Sequence, residues 1–259
     1  MNTRVTTERH GPVLAIGLNR PEKRNAADLA MLEQLALAYG ELERDRELRA
    51  AVVFAHGDHF TAGLDLADIA PRIGDDGISL VPAGGIDPWQ LQGPQRTKPV
   101  VMAVQGTCLT LGIELILASE MTVAATNTRF GQIEVARGIL PFGGATVRFP
   151  QAVGWGTAMR WMLTGDTFDA AEAHRMGLVQ ELVAPEQVRD RALELAKTIA
   201  RMAPLAVQAT LANARRALTD PAGAVGALQS ELVALSRSTD ARIGMEAFLS
   251  REPAQFIGE

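Results

Sequence analysis

Two glutamates, Glu114 and Glu134, occupy sequence positions that are unusual for carboxylates. Glu114 lies in the apolar segment 113–116, and Glu134 lies between the Gly131 turn and a glycine–proline loop at 138–141. Carboxylates are rarely buried without a partner or a catalytic purpose. Two such acids can take one proton from a reactant and deliver another, so the pair predicts acid/base chemistry. Each residue also has a non-catalytic alternative. Glu114 could be an acidic residue in the first turn of a helix, where the helix dipole favours it, and Glu134 could be an exposed acid in a loop.

Two glycine-containing loops, 60–66 and 106–112, could supply the electrostatic partner of such chemistry. Each follows an apolar run typical of a strand and precedes a helical segment. Backbone N–H groups at such junctions point outward and can hold an anion or a polarised carbonyl oxygen. The alternative for 60–66 is an ordinary strand-to-helix turn with Asp65 as its cap. If the two loops converge, they form a site that stabilises an enolate oxygen.

The remaining candidate motifs are incomplete. His56 and His59 lack the further ligands of a metal site, and residues 154–158 lack the third glycine and the preceding strand of a dinucleotide fingerprint. The sequence contains neither a Gly-x-Ser-x-Gly motif nor a Walker-type lysine loop. Lys23 and Arg24 are the one basic cluster beside a candidate site loop, and a solvated surface pair is the alternative there.

Composition narrows the class of protein. Of the 259 residues, 47% are hydrophobic and 21% are charged, as in globular proteins with a substantial core. The net charge of −5 and the 5% of aromatic residues argue against a nucleic-acid-binding surface. The single cysteine, Cys108, excludes an intramolecular disulfide, which fits a reducing compartment. Because no targeting pattern and no bilayer-length apolar run is visible, we expect a cytoplasmic protein without membrane insertion.

The pattern of apolar residues predicts the elements that position these groups. Short, nearly continuous apolar runs are typical of strands buried on both faces, and spacings of three and four are typical of amphipathic helices. Their alternation predicts an α/β core with parallel strands over residues 1–184. The predicted strands are 13–18, 50–54, 100–104 and 121–125, and the predicted helices are 28–45, 66–72 and 111–119.

Two regions depart from this alternation. Residues 73–93 contain five glycines and three aspartates, which predicts a long surface loop. Residues 185–259 contain no strand candidate, so they are predicted to form a helical region, either a small subdomain or a surface for assembly. Its predicted helices are 188–201, 204–218, 222–238 and 241–251.

Seven segments, in order along the chain, strongly resemble the enoyl-CoA hydratase/isomerase (crotonase) family. The match covers essentially the whole sequence. The resemblance implies a crotonase-like spiral of ββα units, a C-terminal helical region that builds homotrimers, usually paired into hexamers, and acyl-CoA thioester substrates. The segments are NRPEKRNA at 19–26, FTAGLDL at 60–66, GTCLTLGIEL at 106–115, FGQIE at 130–134, LTGDTFDAAE at 163–172, GLV at 177–179 and MEAFLSR at 245–251.

The resemblance also implies roles for individual residues. Glu114 and Glu134 fall where hydratases carry two catalytic glutamates, and the backbone N–H groups of Leu64 and Leu111 fall at the oxyanion hole. The residues that fall where the family holds the nucleotide and phosphates of CoA are Lys23, Arg24, Ala62 and Leu66.

These observations predict a hydro-lyase, an enoyl-CoA hydratase that adds water across the C2=C3 bond of a 2-enoyl-CoA thioester. The oxyanion hole draws charge onto the thioester oxygen while two carboxylates deprotonate water and protonate C2. No metal or redox cofactor is required. Hydratases of the family usually have three glycines where this sequence has Thr110, Leu111 and Gly112, and they usually have a smaller residue at the position of Leu64. These differences bear most on the choice of substrate. The alternatives are a Δ3,Δ2-enoyl-CoA isomerase, which can use one carboxylate, and a non-catalytic acyl-CoA-binding or RNA-binding protein of the same fold.

Overall fold

A six-stranded sheet forms the centre of the protein in the computed structural model, which describes residues 3–74, 78 and 80–259. Its strand order is β1-β2-β3-β4-β6-β9, with β1 antiparallel to β2 and every other neighbouring pair parallel. A smaller sheet has the order β5-β7-β8. The strands are β1 (Val5–His10), β2 (Val13–Leu18), β3 (Ala50–Ala55), β4 (Val100–Val104), β5 (Thr107–Leu109), β6 (Met121–Ala125), β7 (Arg129–Gly131), β8 (Thr167–Asp169) and β9 (Glu181–Val183).

The chain passes repeatedly from the large sheet to the small sheet and then into helical structure. Strand β4 is followed by β5 and helix α3, and β6 is followed by β7 and the helices after it. The predicted spiral of ββα units is therefore confirmed. The helices are α1 (Leu29–Arg44), α2 (Leu66–Ile69), α3 (Leu111–Leu117), α4 (Ala145–Val153), α5 (Trp155–Thr164), α6 (Ala170–Arg175), α7 (Val188–Ala200), α8 (Pro204–Ala217), α9 (Pro221–Ser236) and α10 (Thr239–Ser250).

Both faces of the large sheet are covered, so its central strands are buried throughout. Every residue of β2, β3 and β4 is buried, as their continuous apolar sequences predict. The larger hydrophobic cluster joins one face to α1 and α3, and the smaller cluster joins the other face to α7. Since α7 covers the sheet, the first helix of the 185–259 region takes part in core packing. The division of the chain at residue 184 stays a prediction.

The described part of segment 73–93 differs from the predicted surface loop. Residues 75–77 and 79 lie outside the described residues, but Ile86, Asp87, Trp89 and Gln90 are all buried. The Asp87 carboxylate accepts the backbone N–H groups of Trp89 at 2.9 Å and of Leu91 at 2.8 Å, which closes a tight turn. The prediction was therefore wrong for residues 86–90, because one aspartate satisfies the backbone groups that would otherwise require water.

Helices α8 to α10 extend beyond the sheets. In α8 no residue is buried, in α9 only Ala224 is buried, and in α10 only Asp240. Apolar side chains are nevertheless frequent here, so these helices leave much hydrophobic surface uncovered. None of the helices that the structure describes has the length and apolar character needed to cross a bilayer.

Candidate active site

The basic turn at Lys23 and Arg24 is tied to loop 60–66. Asn25, fully buried and at a φ of 53°, donates from Nδ2 to the backbone oxygens of His56 at 2.9 Å and His59 at 2.8 Å. The N–H of Ala62 then donates to the backbone oxygen of Arg24 at 2.8 Å. The turn and the loop therefore keep a fixed relation to each other, although they are separated by some 35 residues of sequence.

The two glycine-containing loops lie side by side. Thr61 donates its N–H to Thr107 at 3.0 Å and accepts one from Leu109 at 3.0 Å, so 60–66 pairs with strand β5 like a further short strand. Gly63 has a φ of 98°, and a Cβ placed on it would lie 2.2 Å from the Thr110 hydroxyl oxygen. Only glycine fits this close approach. Gly63 and Thr110, which directly precede Leu64 and Leu111, are thus in contact.

Leu64 and Leu111 each present a free backbone N–H. Within the described residues neither N–H has a hydrogen-bond acceptor; Leu111 is the first residue of α3, where no intrahelical acceptor exists. Thr110, which aims the Leu111 N–H, has a φ of 50° and a ψ of −114°. A β-branched residue at positive φ is rare, and such strain concentrates at functional sites. Two free donors on adjacent loops are what a negatively charged oxygen requires.

Glu114 lies on α3 with only 3% of its surface exposed. Its Oε1 accepts the N–H of Ala145 at 3.2 Å, and a Cβ on Gly143 would lie 2.3 Å from its Oε2. Burial raises the pKa of Glu114 to about 7, although the N–H groups of Ala145 and Gly143 and the charge of Arg148 act in the lowering direction. The carboxyl group can therefore both accept and release a proton near neutrality.

Glu134 begins the short helical turn Glu134–Arg137 after β7 and is also buried. Gln132 donates its side-chain Nε2 to Glu134 Oε1 at 3.0 Å. Glu134 Oε2 and Gln132 Oε1 are buried and, among the described residues, have no hydrogen-bond partner. Burial raises the pKa of Glu134 to about 7, and the negative charge of Glu114 acts in the same direction. The charge of Glu114 therefore makes protonation of Glu134 more favourable.

The contact that unites the site is between Thr110 and Gly131. The N–H of Thr110 donates to Gly131 at 2.8 Å, and Leu109 pairs with Gly131 where β5 meets β7. Because Glu134 follows Gly131 by three residues, this pairing places it near the start of α3, the helix that contains Glu114. The arrangement combines two buried acids with two free N–H donors, which suits proton transfer next to a polarised carbonyl group.

The predicted CoA-binding residues lie at one edge of this site. Lys23 and Arg24 are exposed and, among the described residues, form no ion pair. Leu66 is 41% exposed and Ala62 is half-buried. The sequence alone assigned no role to Gln132, Trp89 or Arg148. Gln132 lies within the segment 130–134 that resembles the family, and Trp89 could have been noticed as a large apolar residue in the glycine-rich segment 73–93.

Comparison with known proteins places the chain in a family. Residues 8–259 match the family described as enoyl-CoA hydratase/isomerase. The chain is 55% identical to a protein described as a probable enoyl-CoA hydratase/isomerase from Mycobacterium abscessus, whose structure matches with a TM-score of 0.95 over 99% of each chain. It is 32% identical to the short-chain-enoyl-CoA hydratase of Clostridium acetobutylicum, over 95% of each chain. It is 33% identical to the 2,3-dehydroadipyl-CoA hydratase of Escherichia coli, again over 95% of each chain.

Proposed function

The chain belongs to the enoyl-CoA hydratase/isomerase family, and we propose that it is an enoyl-CoA hydratase that adds water across the C2=C3 double bond of a 2-enoyl-CoA thioester. The observation that carries this proposal is the pair of buried glutamates, both with a pKa of about 7, next to two free backbone N–H groups. Hydratases among the relatives act on a short-chain and on a dicarboxylic enoyl-CoA, so the proposal names the reaction and leaves the acyl chain open.

In the proposed mechanism the thioester oxygen accepts hydrogen bonds from the N–H groups of Leu64 and Leu111. These bonds strengthen as negative charge moves onto the oxygen, and so they stabilise the enolate-like transition state more than the substrate. The ionised glutamate deprotonates water for attack at C3, and the protonated one delivers its proton to C2. Glu134 Oε2 and Gln132 Oε1, the two unpartnered acceptors, are suited to hold the hydrogens of that water. No metal or redox cofactor takes part, and the proposed setting is the cytoplasm.

A turnover assay with crotonyl-CoA and longer 2-enoyl-CoA thioesters tests the proposal. Hydration removes the conjugated double bond, so absorbance of the enoyl thioester falls as product forms. Double-bond migration in a 3-enoyl-CoA, without hydration of the 2-enoyl isomer, would identify an isomerase. Binding without either reaction would identify an acyl-CoA-binding protein.

Lys23 and Arg24 are proposed to hold the phosphates of CoA, because they are exposed cations fixed beside loop 60–66. Replacing both by alanine is expected to raise KM for an acyl-CoA on the order of 10-fold, the size of one lost hydrogen bond to a charged group. KM for the matching pantetheine thioester, which lacks the nucleotide, is expected to stay unchanged. Lys197→Ala combined with Arg201→Ala, two exposed cations at the C-terminal end of α7, serves as the charge-matched control. Equal changes for both substrates would contradict the assignment.

Helices α9 and α10 are proposed to assemble the chain into a homotrimer or a hexamer of two trimers. Val225, Leu228 and Leu232 recur at spacings of three and four along α9 and are each more than half exposed. Exposed apolar stripes of this kind mark protein–protein interfaces. Leu228→Asp combined with Leu232→Asp is expected to lower the molar mass in light scattering, whereas Gln229→Glu on the same helix is not. A monodisperse monomer for the unaltered chain would contradict the proposal.

A further inference from the structure

Trp89 contacts the residue that carries one proposed oxyanion donor. Its side chain is 6% exposed, and the indole N–H donates to the backbone oxygen of Leu111 at 3.1 Å. Leu111 is the first residue of α3, and its own N–H has no acceptor among the described residues. A hydrogen bond to the Leu111 carbonyl group restrains the first turn of this short helix, and therefore restrains the direction of the Leu111 N–H. The segment expected to be a surface loop thus reaches into the candidate site.

Arg148 contacts the backbone of the Trp89 turn. The guanidinium group donates to the backbone oxygens of Trp89 at 2.7 Å and Gln90 at 3.0 Å. Arg148 belongs to α4, whose first residue, Ala145, donates its N–H to Glu114 at 3.2 Å. Helix α4 therefore contacts Glu114 through its backbone and the Trp89 turn through its arginine.

The Glu114 carboxylate and the Arg148 guanidinium group both lie close to the backbone of two adjacent glycines, Gly143 and Gly144. A Cβ on Gly143 would lie 2.3 Å from Glu114 Oε2, and a Cβ on Gly144 would lie 2.7 Å from Arg148 Nη1. Within the described part of the chain, Arg148 forms no ion pair at contact distance. Arg148 is half-buried, and its positive charge interacts with the carboxylates of both Asp87 and Glu114.

We propose that Trp89 and Arg148 are positioning residues of this site: Trp89 fixes the first turn of α3, and Arg148 fixes Trp89 and favours the ionised form of Glu114. The kinetic part of this inference rests on the proposed hydratase function. Burial raises the pKa of Glu114, and the charge of Arg148 lowers it. The other charged groups that face Arg148 are Asp87 in its turn, Arg96 before β4 and Arg215 on α8, and all are kept in the variants below.

Two substitutions separate position from charge. Trp89→Phe removes the indole N–H and keeps every charge, so we expect kcat to fall about 10-fold, the effect of a small misplacement. Neither limb of its pH profile should move. Arg148→Met removes the two carbonyl contacts and also the charge, so kcat should fall and the limb that reports Glu114 should move to higher pH, because the ionised Glu114 loses a favourable interaction. Arg201→Met removes an equal charge far from the site and should change neither quantity.

A direct titration keeps the test independent of turnover. In protein labelled with 13C at the glutamate carboxyl carbons, the Glu114 signal is the one absent from Glu114→Gln. Its titration midpoint is expected to be higher in Arg148→Met than in the unaltered chain, and unchanged in Arg201→Met. If Arg148→Met does not fold, Arg148→Lys replaces it: the charge stays, the two carbonyl contacts are lost, and kcat should fall without a shift of the limb.

The possible failures are distinguishable. Folded Arg148→Met with an unchanged Glu114 midpoint would overturn the electrostatic role, and Trp89→Phe with normal kcat would overturn the positional one. Absence of hydration by the unaltered chain would count against the proposed function instead, and the titration would still decide the role of Arg148.

Discussion

Replacing Glu114 or Glu134 by glutamine is expected to lower kcat by about 10²–10⁴-fold, the usual contribution of a positioned acid or base. Glutamine has nearly the same shape but cannot exchange a proton. Each substitution removes one proton-transfer group, and Glu114→Gln also removes a negative charge that raises the pKa of Glu134. Steady-state hydration of crotonyl-CoA measures the effect, with Glu186→Gln, an exposed glutamate outside the site, as the control.

The same substitutions should not destabilise the protein at alkaline pH. The pKa of each carboxyl group is raised from 4.5 to about 7 in the folded state, so the folded chain binds protons more tightly than the unfolded chain between these values. The stability contribution is therefore full below pH 4.5 and is lost as the pH rises through about 7. Glutamine mimics the neutral acid, so melting temperatures at pH 8 should equal or exceed that of the unaltered chain. Near-normal hydration by either folded variant would rule out the two-glutamate mechanism, and an isomerase would tolerate one of the two changes.

Strands buried on both faces and long amphipathic helices were predictable from the sequence. The predicted strand 13–18 coincides with β2, and the predicted helix 28–45 differs from α1 by one residue at each end. Continuous apolar runs and three-to-four spacing identify such elements because burial itself imposes the pattern. Strand β1 was missed because it lies at the sheet edge and five of its six residues are polar or charged.

The small sheet could not be predicted, because β5, β7 and β8 have three residues each. Such segments are too short for any periodicity, and their strand geometry arises from pairing with one another. The same limit applies to the site. Glu114 and Glu134 could be proposed from their residue type in apolar surroundings, whereas the contacts of Arg148 and Gln132 are ones that only tertiary packing creates. Trp89 lay in the segment whose prediction as a surface loop was wrong.

Leu111→Pro is expected to lower kcat by about 10²–10³-fold, because it removes one of the two proposed N–H donors. Position 111 itself suits proline, although the conformation of Thr110 before it does not. Leu111 is the first residue of α3, where the N–H has no intrahelical acceptor and the backbone angle that proline requires is already helical. The hydrogen bond from Trp89 to the Leu111 carbonyl group can persist, since proline keeps its carbonyl oxygen. Leu111→Pro therefore removes the donor while leaving most of the backbone contacts available.

The control must account for the side chain, because Leu111 is 7% exposed and packs in the larger hydrophobic cluster. Leu111→Ala removes similar packing, at a cost of about 2–5 kcal/mol in stability, but keeps the N–H. We expect Leu111→Ala to melt at a lower temperature and retain most of its kcat below that temperature. Proline also restricts the residue before it, and Thr110 is already at positive φ, so melting curves must accompany the kinetics. A folded Leu111→Pro variant as active as Leu111→Ala would mean that the thioester oxygen is held elsewhere, and the alignment of the 106–115 segment, including the role of Glu114, would have to be revised.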